Sequence, residues 1–173
     1  MLVTQIYVDD IVFGATSSDL ALSFAKEMKI EFKMSMVGEL TFFLGLQIRQ
    51  LNDGIFFSQS KYAKKVVKKF SLESSKHSRT PMSTTTKLSK DAFGKYVKQK
   101  HYRSMIENLL YLIASHPNIS FSVGACARYQ ENPKESHLMI VKRIIPYINR
   151  TLDYGLWYSY DSFLMIVGYY DVD

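Results

Sequence analysis

Two apolar, β-branched runs open the chain, Leu2 to Val8 and Ile11 to Phe13, with Asp9 and Asp10 between them. Short apolar runs bounded by polar residues predict two strands of a hairpin, with the Asp pair as its turn. From Ser17 the period changes. Leu20, Phe24 and Met28 fall at i, i+4 and i+8, with Ala21 and Ala25 beside them. This predicts a helix to about Lys33, capped within Ser17-Ser18-Asp19. Gly38 and Glu39 mark a turn, and Leu40 to Gln50 reads as a strand. Asn52-Asp53-Gly54 is a tight-turn signal, and Ile55-Phe56-Phe57 is the returning strand. Ser60 to Ser71 is amphipathic at helical spacing. Tyr62, Val66 and Phe70 share one side with Ala63 and Val67, and Lys61, Lys64, Lys65, Lys68 and Lys69 surround the other.

Periodicity fails between Glu73 and about Lys100, where Ser, Thr and Lys dominate, Pro81 interrupts and Gly94 follows. This predicts a long connecting loop and a boundary between a sheet-based part and a helical part. Tyr102 to Ser115 then reads as a well-buried helix, broken by His116-Pro117-Asn118. Ser120 to Tyr129 follows with small residues for close packing. A third helix, capped by Asn132-Pro133, repeats Leu138, Val141, Ile144, Ile145 and Ile148. Three short-linked helices predict a small bundle. Gly155 to Ser159 and Phe163 to Tyr169 read as strands that lead into Asp171.

At 173 residues the chain can bury a substantial core as one or two domains. Cys126 is its single cysteine, which excludes an internal disulfide and fits a reducing compartment. No basic start precedes an apolar run, and no stretch approaches a membrane span, so the pattern is that of a soluble intracellular protein without a membrane partner. The net charge of +6 is unevenly spread: Lys61 to Arg103 holds thirteen Lys and Arg against two acids, Glu73 and Asp91. That balance suits a phosphate backbone, or equally a solvated lysine face beside a basic loop.

Two adjacent carboxylates at the end of a sheet suit Mg²⁺, which keeps several waters and takes one or two protein carboxylates plus substrate phosphates. Such ions serve two-metal phosphoryl transfer. The plainer reading of Asp9-Asp10 is a polar turn, and the residues alone leave both open. His77, His101, His116 and His137 are scattered without metal-ligand spacing, and neither a nucleophilic triad nor a Gly-rich phosphate loop can be argued.

Tyr7-Val8-Asp9-Asp10 resembles the signature hairpin of reverse transcriptases, and Tyr7 to Gly14 is similar to copia-type retrotransposon polyproteins. The likeness continues in order through Phe32 to Leu40, Phe43 to Ile48, Thr80-Pro81-Met82, Tyr102 to Ile106, Leu109 to Leu112, Asn132 to His137, Val141 to Ile144 and Gly155 to Tyr158. The resemblance implies an α+β fragment: part of a polymerase palm over 1–59, a basic helix and connector over 60–100, a thumb-like bundle over 101–152, and the start of an RNase H-like domain over 153–173. It implies RNA-directed DNA synthesis with two Mg²⁺ ions in the parent protein, on a template–primer duplex, in the cytoplasm within a virus-like particle or in the nucleus. By the same resemblance Asp9 and Asp10 would be metal ligands. Phe43, Leu44 and Gly45 would form a primer grip, with Gly45 letting backbone approach the primer phosphates. Lys61, Lys64, Lys65, Lys68 and Lys69 would contact the nucleic-acid backbone, and Asp171 would be one ligand of an incomplete RNase H site.

The family's polymerases use a further aspartate on an upstream strand, together with finger residues, and neither lies in these 173 residues. The expectation is that the chain alone does not polymerise. Within the matched part, Glu107 stands where a glycine is common, Pro146 interrupts the third helix, and Arg150 occupies a usual glycine at its end. A non-catalytic nucleic-acid-binding module and an inert relic are the rival readings.

Overall fold

The computed structural model describes residues 1–75, 78–83 and 88–161, and its secondary structure is α+β. The chain forms two compact units, Met1–Thr41 and a second that begins at Phe42. In the first, β1 (Leu2–Tyr7) pairs antiparallel with β2 (Asp10–Ala15), from Leu2 opposite Ala15 to Tyr7 opposite Asp10. Helix α1 (Ser18–Phe32) starts where the period changes, because the Ser17 hydroxyl accepts the Leu20 amide at 3.4 Å. Phe24 of α1 meets Phe13 of β2 edge to face, with ring centroids 5.0 Å apart. Ala25 is the only buried residue of this unit.

The hairpin differs from the sequence expectation in one respect. Its two turn residues are Val8 and Asp9, and Asp10 is the first residue of β2.

The second unit carries a sheet in the order β3 (Phe42–Phe43), β4 (Leu46–Leu51), β5 (Gly54–Ser58), β6 (Gly155–Ser159), antiparallel throughout. The run expected as one strand from Leu40 to Gln50 is two strands. Leu44 (φ 47°) and Gly45 (φ 78°) fold it back between Phe43 and Leu46. Positive φ at both central residues is the type I′ pattern, whose twist suits a two-residue hairpin. β6 lies beside β5, with Leu156 opposite Phe57 and Trp157 opposite Phe56. The expected strand over Phe163 to Tyr169, together with His77 and Asp171, lies outside the described residues.

Four helices pack together in this unit: α2 (Ser60–Lys69), α3 (Gln99–Leu112), α4 (Ser120–Ala127) and α5 (Glu135–Arg150). Tyr102, Met105, Ile106, Leu109 and Leu112 of α3 are each 0% exposed and meet Ala63 and Val66, Val123 and Cys126, and Val141, Ile144, Ile145 and Ile148. Burial pushes the Cys126 thiol up to about 11, against a smaller lowering from the Tyr102 hydroxyl beside it.

Two expectations for α5 need correction. The helix begins at Glu135, after Lys134, and the cap is provided by His137, whose Nδ1 accepts the Lys134 amide at 3.1 Å. At the other end, where Arg150 stands in place of a usual glycine, the helix closes without a left-handed residue on Thr151 (φ −113°), whose amide donates to the Ile148 carbonyl at 2.9 Å. Pro146 is buried inside an unbroken helix. Its ring removes the amide that would bond the Lys142 carbonyl, the loss expected of a proline inside a helix.

The described residues between α2 and α3 lie outside helices and strands, and several of them are anchored. Lys134 Nζ donates to the Gly94 carbonyl at 2.9 Å and lies 3.3 Å from the Tyr96 ring centroid. His137 Nε2 lies 2.8 Å from the Ser89 carbonyl, and Leu88 and Val97 pack on the core.

A buried polar chain ties the helix ends together. Gln59 Oε1 lies 2.8 Å from Ser115 Oγ, which is 2.9 Å from His116 Nδ1, and His116 Nε2 is 3.1 Å from the Thr151 carbonyl. A carbonyl can only accept, so His116 carries its proton on Nε2 and Nδ1 accepts from Ser115. The serine hydroxyl then has no proton for Gln59. Turning the amide over lets Gln59 Nε2, otherwise buried without a partner, donate to Ser115.

Burial lowers the His116 pKa from its ordinary 6.5, more than the Thr151 carbonyl raises it. The unfolded chain therefore binds a proton that the folded chain resists, and stability falls as pH drops below about 6.5 towards the folded value. Urea unfolding of the wild type and of His116→Gln across this window tests it. The wild type loses stability on acidification, and the difference between the two narrows as the histidine is charged. A pH dependence identical in both would rule His116 out as the source.

Candidate functional site

The first hairpin presents two carboxylates at its free end. Val8 has φ 53°, a left-handed conformation that is a genuine outlier for a β-branched residue. Such strain costs roughly 1–3 kcal/mol and is found at functional tips. Asp9 follows in the turn, and Asp10 opens β2 opposite Tyr7. Alternation along β2 places Asp10 on the face opposite Phe13, hence away from α1. Both carboxylates are exposed, as is Val8 at 81%. Among the described residues no three His, Cys, Asp or Glu side chains come together. Asp9 and Asp10 are therefore a two-carboxylate set. That set fits a Mg²⁺ ion completed by water and phosphate oxygens, since Mg²⁺ commonly takes only one or two protein carboxylates.

The second candidate lies in the other unit, at the β3–β4 turn. Leu44 sits in a left-handed conformation with 44% of its surface exposed, in a type of turn that favours Asn or Gly at that position. Gly45 is required twice over. Its φ of 78° disfavours any side chain, and a Cβ there would collide with the Tyr111 ring. Tyr111, on α3, donates its hydroxyl to the Leu44 carbonyl. The demand for glycine thus comes from inside the fold, before any bound phosphate is considered.

Tyr111 also connects this tip to the lysine helix. Its ring stands 4.7 Å from that of Tyr62 on α2, and the Tyr62 hydroxyl donates to Asn108 Oδ1 at 3.1 Å. Burial first, and the neighbouring Tyr111 second, raise the Tyr62 phenol pKa, which keeps its proton on that bond. Gln47 Oε1 of β4 accepts the Lys61 amide at 2.8 Å and so satisfies the start of α2. Lys61, Lys64, Lys65, Lys68 and Lys69 are all exposed, opposite buried Ala63, Val66 and Val67. Within this unit the structure joins the β3–β4 tip and the lysine face on one rigid support. Sequence reasoning missed Tyr111 and Asn108 as its links. Tyr111 enters the sequence only within the Leu109 to Leu112 block, and nothing in its spacing names the hairpin it reaches.

Residues 1–84 match the family described as Reverse transcriptase (RNA-dependent DNA polymerase). The chain is 28% identical over 168 residues to the retrovirus-related Pol polyprotein from transposon RE1 of Arabidopsis thaliana, covering 97% of this chain and 12% of that protein. It is 28% identical over 181 residues to the Pol polyprotein from transposon TNT 1-94 of Nicotiana tabacum, covering 99% of this chain and 14% of that protein. It is also 30% identical over 171 residues to an uncharacterized mitochondrial protein of Arabidopsis thaliana, covering 97% of this chain and 70% of the relative. No solved structure matches.

Replacing Leu44 by Asn removes a strained conformation and stabilises the second unit by about 1 kcal/mol. Gly45→Ala destabilises it by about 2 kcal/mol or more, through the positive φ and the overlap with Tyr111. Denaturant melting of both variants checks the pair, and equal stability of the two would contradict the hairpin geometry described.

Proposed function

Because the chain belongs to the reverse transcriptase family of copia-type retrotransposon Pol polyproteins, we propose that it carries the metal-binding hairpin and the primer-contacting part of an RNA-directed DNA polymerase. The family acts on nucleic-acid templates and generally uses Mg²⁺. Asp9 and Asp10 would hold the ion, and when bound it would lower the pKa of the attacking hydroxyl and offset charge on the leaving phosphate. Asp9 stands in the turn itself and Asp10 at the mouth of β2, both open to solvent and to a substrate's phosphates. The strained Val8 supports this reading, since an ordinary polar turn would not retain a β-branched residue at φ 53°.

In the second unit, Phe43, Leu44 and Gly45 would meet the primer strand, and Lys61, Lys64, Lys65, Lys68 and Lys69 would neutralise backbone phosphates. A lysine face positions nucleic acid without reading its sequence. The observation that carries this part is the Tyr111–Leu44 bond, which holds the turn at a fixed place on the helices beside the lysines.

Two-metal transfer in this reading calls for a further carboxylate besides Asp9 and Asp10, and the expected outcome is that the 173-residue polypeptide by itself does not extend a primer. Mg²⁺-dependent incorporation by purified protein, abolished by Asp9→Asn, would overturn this. A second reading, a non-catalytic nucleic-acid-binding module, draws on the separate core of the second unit. Both readings predict binding to an RNA–DNA duplex that weakens steeply with salt. Replacing Lys61, Lys65 and Lys68 by Gln lowers the slope of log affinity against log salt by about 0.9 for each phosphate that is no longer neutralised. Salt-independent binding, or an unchanged slope, would remove the lysine helix from the interface.

No helix among the described residues is long and apolar enough to cross a membrane.

A further inference from the structure

A cleft of about 1280 Å³ opens between the irregular segment after α2 and the outer face of α5. Three cations line it, Arg79, Lys142 and Arg143, and its acidic lining residue, Asp91, is engaged by the Ser136 hydroxyl at 2.6 Å. Arg143 grips the segment at one residue. Its Nε donates to the Thr80 carbonyl at 3.4 Å and its Nη2 to Thr80 Oγ1 at 3.2 Å.

Thr80 is exposed, lies outside regular structure and is followed by Pro81. The other prolines follow His116, Asn132 and Ile145, so Thr80 is the single hydroxyl residue in the chain that precedes a proline. A guanidinium with five donors in a fixed fork spends two of them here on neutral oxygens. It is better matched to a phosphate, which offers three strong acceptors and nearly two negative charges.

We propose that Thr80 is a phosphoacceptor for a Ser/Thr-Pro-directed protein kinase, and that Arg143, with Arg79 and Lys142 beside it, is the preformed receptor for the phosphate. In the transfer, Thr80 Oγ attacks the γ-phosphorus of ATP. The Oγ–P bond forms, the bond from that phosphorus to the bridging oxygen breaks, ADP leaves, and the hydroxyl proton passes to the kinase's carboxylate base. The product places a dianion where a neutral hydroxyl now meets Arg143, and so fastens the segment to α5 by charge-assisted hydrogen bonds. This inference is independent of the polymerase reading, because neither hairpin nor any lysine of α2 takes part.

The test uses the full chain, a proline-directed kinase and ATP, with phosphopeptide mapping and ³¹P titration. The expected result is one phosphate, on Thr80, absent in Thr80→Val. Its second pKa should lie about one pH unit or more below that of the same phosphopeptide free in solution, because a guanidinium favours the dianion. In Arg143→Gln, a change at an exposed side chain, the value should return towards the peptide's. Phosphorylation of the peptide but not of the folded chain would overturn the acceptor. A titration identical to the peptide's, or unmoved by Arg143→Gln, would overturn the receptor.

Discussion

Complete burial of the apolar stripe of α3 is the constraint on which the second unit depends. Its apolar stripe meets three other helices at once, and a fully buried large side chain stabilises by roughly 1.5–3 kcal/mol relative to an exposed one. A helix held that firmly can use its opposite face as a reference surface. Tyr111 and Asn108 occupy that face. One reaches the β3–β4 turn and the other the lysine helix. The candidate interface is therefore positioned from the core outward, through two polar bonds, and does not rely on the stiffness of a two-residue β3.

The two units solve the problem of a hairpin tip differently. In the first, Phe13 of β2 and Phe24 of α1 meet edge to face and one alanine is buried, while Ile6, Ile30, Phe32 and Val37 stay mostly exposed. In the second, the strained Leu44 is tied to a buried framework. Both tips keep a side chain at positive φ where Gly or Asn would be easier, and both belong to segments for which the family resemblance implies a role. Conformational strain is tolerated at these tips at the expense of stability.

Much of the architecture was legible in the alternation of apolar positions. The helices were, because their stripes recur over two or more turns, and Ser17 was, because a hydroxyl before such a stripe satisfies a free amide. The misplacements have local causes. Leu40 to Gln50 reads as one strand because Leu44 is apolar, and an apolar residue at φ 47° has no sequence signature. Asp9-Asp10 reads as the whole turn because acids favour turns, yet Val8 takes the left-handed position. His137 reads as an unattached histidine because the amide it caps is a backbone group. The Asp pair itself was visible as chemistry. Tyr111 was not, because its contact spans 67 residues of chain and no periodicity encodes so distant a partner.

Trp157 is the chain's one tryptophan, and it stands in β6 with its ring packed over Gly54 of β5. Its emission, excited where tyrosine does not absorb, is therefore a spectroscopic window on the sheet of the second unit, and the first unit has no tryptophan of its own. An unfolding curve recorded by tryptophan fluorescence follows the framework behind the lysine helix, and the hairpin bearing Asp9 and Asp10 calls for a probe of its own.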